Sequence, residues 1–224
     1  FHAPRHQMVL CHGLFGYDVR GPRFLGPLRV HYWSGIAEAL QRLGCNVLIA
    51  RVPPVGDVRT RAWTLRRFLE RHACDHTTNL VGYSMGGLDS RYLLTHCPPK
   101  NLRIPSLTTV STPHRGSPFM DWCRDVLGVG YVLSGHDASP LLAKASWPFD
   151  SAGFSNLTRD FCARFNLLTP DQPHVQYFSY GAMVQNPLAS YKPLALSHSI
   201  VAQAEGENDG MVSLRSARWG TWCG

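Results

Sequence analysis

The sequence predicts an α/β-class fold, a mostly parallel sheet with helices on both faces. Two observations predict it. Short apolar runs of strand length, such as Val47-Leu48-Ile49-Ala50, alternate with segments whose apolar residues fall at helical spacing. Strands buried on both faces read as such runs, because crossover helices cover a parallel sheet above and below. A stretch from about 115 to 170 breaks the alternation and is expected to be a lid or cap insertion over the sheet's C-terminal edge.

Met8-Val9-Leu10-Cys11, stopped by His12-Gly13, reads as the first strand. Between Tyr32 and Leu43 the apolar positions 33, 36, 37, 40 and 43 predict a helix closed by Gly44. Asn46 to Ala50 is the next strand, broken by Pro53-Pro54. Trp63, Leu65, Phe68 and Leu69 mark a helix, and Asn79-Leu80-Val81 a third strand ended by Gly82. A helix is expected from about Gly86 to His96, with Pro98-Pro99 stopping the chain. Leu107 to Val110 and Val175 to Tyr180 are later strands. Inside the insertion, Pro118 to Leu127 has helical spacing and precedes a Gly-rich bend and a Pro/Ser stretch near Ser139 to Ser151.

The 224 residues carry 22 Lys and Arg against 15 Asp and Glu, a net charge of +7, with 44% apolar and 17% charged residues. This balance excludes a disordered chain and supplies a core for a single domain over 1–224. No apolar run approaches the roughly 20 residues that span a bilayer. The chain opens Phe1-His2-Ala3-Pro4-Arg5-His6, with no initiator Met and no apolar signal core, which reads as a fragment or processed product. Cys11, Cys45, Cys74, Cys97, Cys123, Cys162 and Cys223 are odd in number and include no Cys-x-x-Cys. A reducing, intracellular compartment, cytoplasmic or mitochondrial, is therefore expected. His72-x-Cys74-x-His76 lacks a second ligand pair and reads as a polar helix end, so no metal is expected. The Asn156-Leu157-Thr158 sequon needs a secretory context and is expected to be unused.

Gly82-Tyr83-Ser84-Met85-Gly86 is a G-x-S-x-G between a predicted strand and a predicted helix. A serine there sits on a strained strand-to-helix turn, with glycines two before and two after allowing the backbone to fold sharply. Its hydroxyl faces helix N-terminal amides, which favour developing negative charge. Ser84 is the candidate nucleophile. Acyl transfer through a tetrahedral intermediate needs two N–H donors aimed at one oxygen. Met85 is expected to supply one and Leu14, after His12-Gly13, the other. His12 itself reads as a turn-stabilising core histidine.

The triad of this turn follows the order Ser, acid, His. Glu205-Gly206-Glu207-Asn208-Asp209-Gly210 is a polar turn expected about where the chain leaves a late strand, and Asp209 is the preferred acid, with Glu205 and Glu207 as alternatives. No histidine follows Asp209 up to Gly224. His198, His174, His136 and His114 lie upstream, against the order, and a chain truncated before its histidine is the preferred reading.

His12-Gly13-Leu14-Phe15-Gly16, the run from Gly82 to Tyr92, and Ser111-Thr112-Pro113-His114-Arg115-Gly116-Ser117 resemble the bacterial true lipases and their intracellular eukaryotic relatives. Tyr32-Trp33-x-Gly35-Ile36, Leu157-Thr158 ahead of Phe165-Asn166, and Asn208 to Ser213 fit the same pattern in the same order. The resemblance covers about 8 to 220. It implies an α/β-hydrolase fold acting on long-chain acyl esters, with Ser84 as nucleophile, Asp209 as triad acid, and Leu14 and Met85 as oxyanion donors. It also implies a histidine a short loop beyond the Asp209 motif, past Gly224. The bacterial members are similar to one another in a calcium site with one ligand beside that histidine; its other ligands have no counterpart placed here, and no cofactor is expected. Several extracellular members carry a disulfide, for which no cysteine pair here stands in.

Acylglycerol or another lipid ester is the expected substrate. Arg59, Arg61, Arg66, Arg67 and Arg71 read either as a basic face meeting an anionic membrane or lipid-droplet surface or as a solvated helix face. Phe119, Met120, Trp122, Val126 and Leu127 suit a lid over an acyl pocket, or plain core. No nucleic-acid partner is expected, because charge comes without an aromatic–basic reader motif. The competing function is a non-catalytic α/β-hydrolase-fold module that binds lipid or protein.

Overall fold

The computed structural model describes residues 4–16, 19–20, 30–74, 76–129, 152–185 and 194–224. Six strands form one all-parallel sheet: β1 (Gln7–Cys11), β4 (Val47–Ile49), β5 (Thr78–Tyr83), β6 (Ser106–Val110), β7 (Gln176–Tyr180) and β8 (Thr221–Trp222), in the order β4-β1-β5-β6-β7-β8. A separate antiparallel pair joins β2 (Val19–Arg20) to β3 (Val30–His31).

Alternation along β1 explains the layers. Val9 and Cys11 face a core shared with Ala62, Leu65 and Leu69 of α2 (Val58–His72) and Leu93 and Leu94 of α3 (Met85–His96). Leu10 faces the opposite core, against Trp33 and Ala37 of the segment leading into and forming α1 (Ile36–Arg42). Helices thus cover both faces, as the apolar strands require. The α1 helix is shorter than its apolar spacing suggests. The Glu38 carboxylate accepts the Gly35 amide and fixes the start at Ile36, so Tyr32 and Trp33 belong to a turn. Asp57 caps α2 by accepting the Thr60 amide at 2.8 Å.

Residues 130–151 of the expected insertion, including the Pro/Ser stretch and His136, lie outside the described residues. Its described flanks form α4 (Pro118–Leu127), α5 (Ala152–Ser155) and α6 (Arg159–Leu168). They build a second core on α3: Met120, Cys123, Phe154, Leu157, Cys162 and Phe165 pack with Met85 and Leu88. Met120 is therefore core, whereas Val126 and Leu127 are exposed. The elements with no counterpart in the sequence reading include α6, α7 (Ala195–Glu205) and the last strand, β8. A short helix, α8 (Leu214–Ala217), precedes that strand.

Strand order puts the site. From β1 the chain moves outward to β4 and then returns to the other side of β1 as β5. This reversal leaves a crevice at the carboxyl ends of β1 and β5, where open α/β sheets bind ligands. Cys11 pairs with Gly82 in register, so the chain leaves both strands side by side.

Candidate active site

Ser84 follows β5 with φ 52° and ψ −128°, a conformation that costs a non-glycine residue on the order of 1–3 kcal/mol. Its surroundings enforce it. The Ser84 amide donates to the Val110 carbonyl at 2.9 Å, continuing the β5–β6 ladder, and the Thr112 hydroxyl donates to the Ser84 carbonyl at 2.8 Å. The flanking glycines are required by close approach. A Cβ on Gly82 would lie 2.6 Å from the Gly87 Cα, and one on Gly86 would lie 2.8 Å from the His12 carbonyl oxygen. Ser84 is half-buried at the start of α3, and the Met85 amide donates to no atom among the described residues.

The loop after β1 lies directly against this turn. A Cβ added to Gly13 would stand 2.8 Å from the Ser84 Cβ and 3.2 Å from its Oγ. The Leu14 amide, one residue on, also donates to no atom among the described residues. The Leu14 side chain packs into the second core, where Gly153 leaves it room. His12 is buried, and its Nδ1 donates to the Gly13 carbonyl at 2.9 Å. Its part is structural, as the sequence suggests.

Arg61 corrects the sequence reading. It is not part of a basic or solvated face but fully buried, with Nε donating to Asp89 Oδ2 at 2.9 Å. Its Nη1 donates to the Pro53 carbonyl at 2.6 Å, and its Nη2 to the carbonyls of His12 at 2.7 Å and Gly13 at 3.3 Å. Burial pushes the Asp89 carboxyl up to about 6, and Arg61 offsets this only in part. The Gly13 carbonyl and the Leu14 N–H belong to one planar trans peptide and point opposite ways. Holding that carbonyl toward Arg61 turns the Leu14 N–H away from it.

Asp209 is half-buried in a turn, where its Oδ1 accepts the amides of Met211 at 2.9 Å and Val212 at 2.8 Å. The same turn is tied to the loop before α4, because the Ser117 hydroxyl donates to the Met211 carbonyl at 2.5 Å. Tyr83, next to Ser84, has its phenol shifted upward, first by burial and then by the charge of Asp209, so Asp209 lies within electrostatic reach of the turn. The alternatives are placed differently. Glu205 accepts a hydrogen bond from the Ser213 hydroxyl, and Glu207 is exposed.

None of the described histidines bonds to Ser84 or Asp209. His114 is fully buried: Arg91 donates to its Nδ1 at 3.4 Å, its Nε2 donates to Thr109 Oγ1 at 3.0 Å, and its ring stacks on Trp219. Burial, then Arg91 and Arg115, hold it well below the usual imidazole range. His198 on α7 donates from Nε2 to the Val184 carbonyl at 3.1 Å. His174 precedes β7, at the sheet's N-terminal end, opposite the end that carries Ser84. Among the described residues, no three His, Cys, Asp or Glu side chains converge where a metal ion would be held. Asn156 of the sequon is buried, and its side-chain oxygen accepts the Val58 amide at 2.8 Å.

Sequence reasoning missed the Arg61–Asp89 pair, although a signal existed. Val58, Arg61, Ala62, Leu65 and Leu69 are the buried positions of α2, and Arg61 falls within that helical stripe.

A family model described as the α/β hydrolase fold matches residues 7–135. Triacylglycerol lipase 2 of Saccharomyces cerevisiae is 30% identical over 266 aligned positions, covering all of this chain and 78% of that protein. The triacylglycerol lipase of Pseudomonas fragi is 27% identical, over 96% of this chain and 83% of its own length. Among solved structures, the mature lipase BlEst2 of Bacillus licheniformis superposes with a TM-score of 0.70 at 20% identity, over 98% of this chain and 82% of that one.

Proposed function

We propose that this chain, which belongs to the triacylglycerol lipases of the α/β-hydrolase fold, cleaves medium- and long-chain acylglycerols through a serine acyl-enzyme. Ester hydrolysis is the family's chemistry; the covalent route and the chain-length preference are read from the residues. Ser84 Oγ attacks the ester carbonyl carbon while its proton passes to an imidazole that Asp209 orients. The carbonyl oxygen gains the charge, received by the amides of Leu14 and Met85. Collapse breaks the bond to the glycerol oxygen, which takes the proton, and leaves an acyl ester on Ser84. Water then repeats the sequence and releases the carboxylate.

One observation carries this reading: Ser84 is held at φ 52° at the sheet's reversal point, beside two backbone amides that donate to no acceptor among the described residues. A module that only binds lipid has no use for a serine in that strain. The apolar flank supports long acyl chains: Phe15, 40% exposed, meets Phe154 edge-on at 5.4 Å beside Leu14. The described parts of the 115–170 insertion, α4 to α6, pack against Met85 and Leu88 beside this flank, the place a lid or cap would occupy. All seven thiols are free, which suits a reducing, intracellular compartment. Among the described residues no helix is long and apolar enough to cross a membrane, and the net charge of +7 favours contact with an anionic membrane or lipid-droplet surface.

The test is Ser84→Ala in the intact protein, with rates on p-nitrophenyl decanoate and acetate. The variant is expected to fold and to lose all but about a thousandth of the decanoate rate. Retention of more than about a hundredth would overturn Ser84 as nucleophile. Faster turnover of acetate than decanoate by the unaltered protein would overturn the long-chain preference.

A further inference from the structure

A second cavity lies away from Ser84, between the start of α2, the end of α3 and α6, with a volume of about 540 Å³. That is the size range of small-molecule sites, roughly 300–1,000 Å³. Its wall is apolar, built from Tyr92, Phe161, Phe165 and Leu168, and its mouth carries Arg59 and Arg164. Neither Leu14, Ser84, Met85 nor Asp209 lines it. Tyr92 is eight residues past Ser84, about 12 Å along α3 at the usual helical rise.

The polar groups of the cavity divide into two sets. The Asp57 carboxylate is engaged by the amide and hydroxyl of Thr60, each at 2.8 Å. Asn156 is taken by the Val58 amide. His96 shares a 3.2 Å hydrogen bond with Thr169, and its ring lies 4.4 Å from that of Tyr92. Arg59 and Arg164 alone have neither ion pair nor hydrogen bond among the described residues, and both are exposed. Two uncommitted guanidiniums above an aromatic and aliphatic wall match an anion with a long apolar body. At the rim, Leu168 is 70% exposed and Leu167 beside it 84%, which is costly surface for water to cover.

We propose that this cavity is a second lipid site holding one free fatty acid, its carboxylate on Arg59 and Arg164 and its chain along the Tyr92–Phe165 wall. The choice of ligand rests on the ester-hydrolase reading, because that reaction releases such a carboxylate. Guanidiniums pair with carboxylates in a fork geometry that an alcohol cannot satisfy.

The experiment measures cis-parinaric acid binding to the intact protein, before and after Ser84 is blocked with a long-chain phosphonate. Binding is expected to persist after blocking. It should weaken at least tenfold in an Arg59→Glu/Arg164→Glu double variant, and also in Leu168→Asp, with the rate on soluble p-nitrophenyl butyrate unchanged within about twofold. Competing saturated fatty acids should bind tighter with length, up to about fourfold per methylene, and the matching fatty alcohols far more weakly. Loss of the probe on blocking Ser84 would place it in the acyl pocket and overturn the proposal. So would full binding by the double variant, equal competition by alcohols, or a double variant that loses only anionic vesicles while keeping the soluble acid. Failure of the phosphonate to react would instead count against Ser84 as nucleophile, and the double variant would still decide the cavity.

Discussion

Arg61 and Asp89 form a 2.8 Å ion pair with both side chains sealed from solvent, tying α2 to α3 behind the loop that follows β1. Neither is a substrate-facing residue. Their effect passes through backbone: the same guanidinium holds the carbonyls of His12 and Gly13, and so the peptide plane that carries the Leu14 amide. Removing one partner from such a pair strands a buried charge, at a cost of about 3–5 kcal/mol.

Arg61→Lys keeps the charge but not the fork, and an ammonium cannot serve Asp89, Pro53 and His12 at once. The variant is expected to fold with a lower melting temperature. Its kcat should fall about 10- to 100-fold with KM nearly unchanged, since a misdirected amide weakens the transition state alone. Steady-state kinetics decide it. A rise in KM at constant kcat would assign Arg61 to substrate binding instead.

Gly13→Ala tests the contact between the two loops. The new Cβ would press on Ser84 at 2.8 Å, and neither side can yield cheaply, because one is the strained turn and the other is held by Arg61. Overpacking of this kind costs about 1–3 kcal/mol. The expected outcome is a protein that still melts cooperatively but labels with a fluorophosphonate at least about 100 times more slowly. Unchanged labelling would mean that the loops separate without consequence.

Most of the sheet and the two loops that meet at Ser84 are legible in the sequence, because apolar runs, G-x-S-x-G and His12-Gly13 are local signals. The missed parts are non-local. Helix α6 is amphipathic yet carries Leu167 and Leu168 on its exposed side, which blurs its period. Strand β8 has two residues, too few for alternation to register. Arg61 looked like one of a series of surface arginines, and only its position in the buried stripe of α2 marked it as different. Its partner Asp89 lies 28 residues away, a pairing no window on one sequence can read.

His114 gives a pH dependence whose sign is fixed by its burial. Its folded pKa is held well below the ordinary imidazole value, so between that value and about 6.5 the unfolded chain binds a proton that the folded chain refuses. Stability is then lost as pH falls below about 6.5, by up to about 1.4 kcal/mol per unit from this residue. Arg91, donating to Nδ1, accounts for part of the refusal. His114→Asn is expected to be less stable at pH 7.5 but to lose less between pH 7.5 and 5. Urea melts at the two pH values measure this, and an unchanged slope would show that His114 does not carry it.

The three acids of the late turn separate by what already occupies them. Asp209 presents one carboxylate oxygen to two backbone amides, which fixes its orientation, and leaves Oδ2 without a hydrogen bond among the described residues. A triad acid needs that arrangement: one oxygen anchored, the other free to receive an imidazole N–H. Glu205 is spent on Ser213, and Glu207 stands in solvent. Asp209→Asn should therefore keep the turn, through the side-chain carbonyl, while offering the imidazole no negative charge. The expected loss is about 10⁴-fold in kcat, on the scale known for such changes. Glu207→Gln should stay within about twofold of the unaltered protein. Glu205→Gln should lower the melting temperature through Ser213 and leave kcat within about threefold. A large fall in kcat for Glu205→Gln with little change for Asp209→Asn would move the acid to Glu205 and break the assignment.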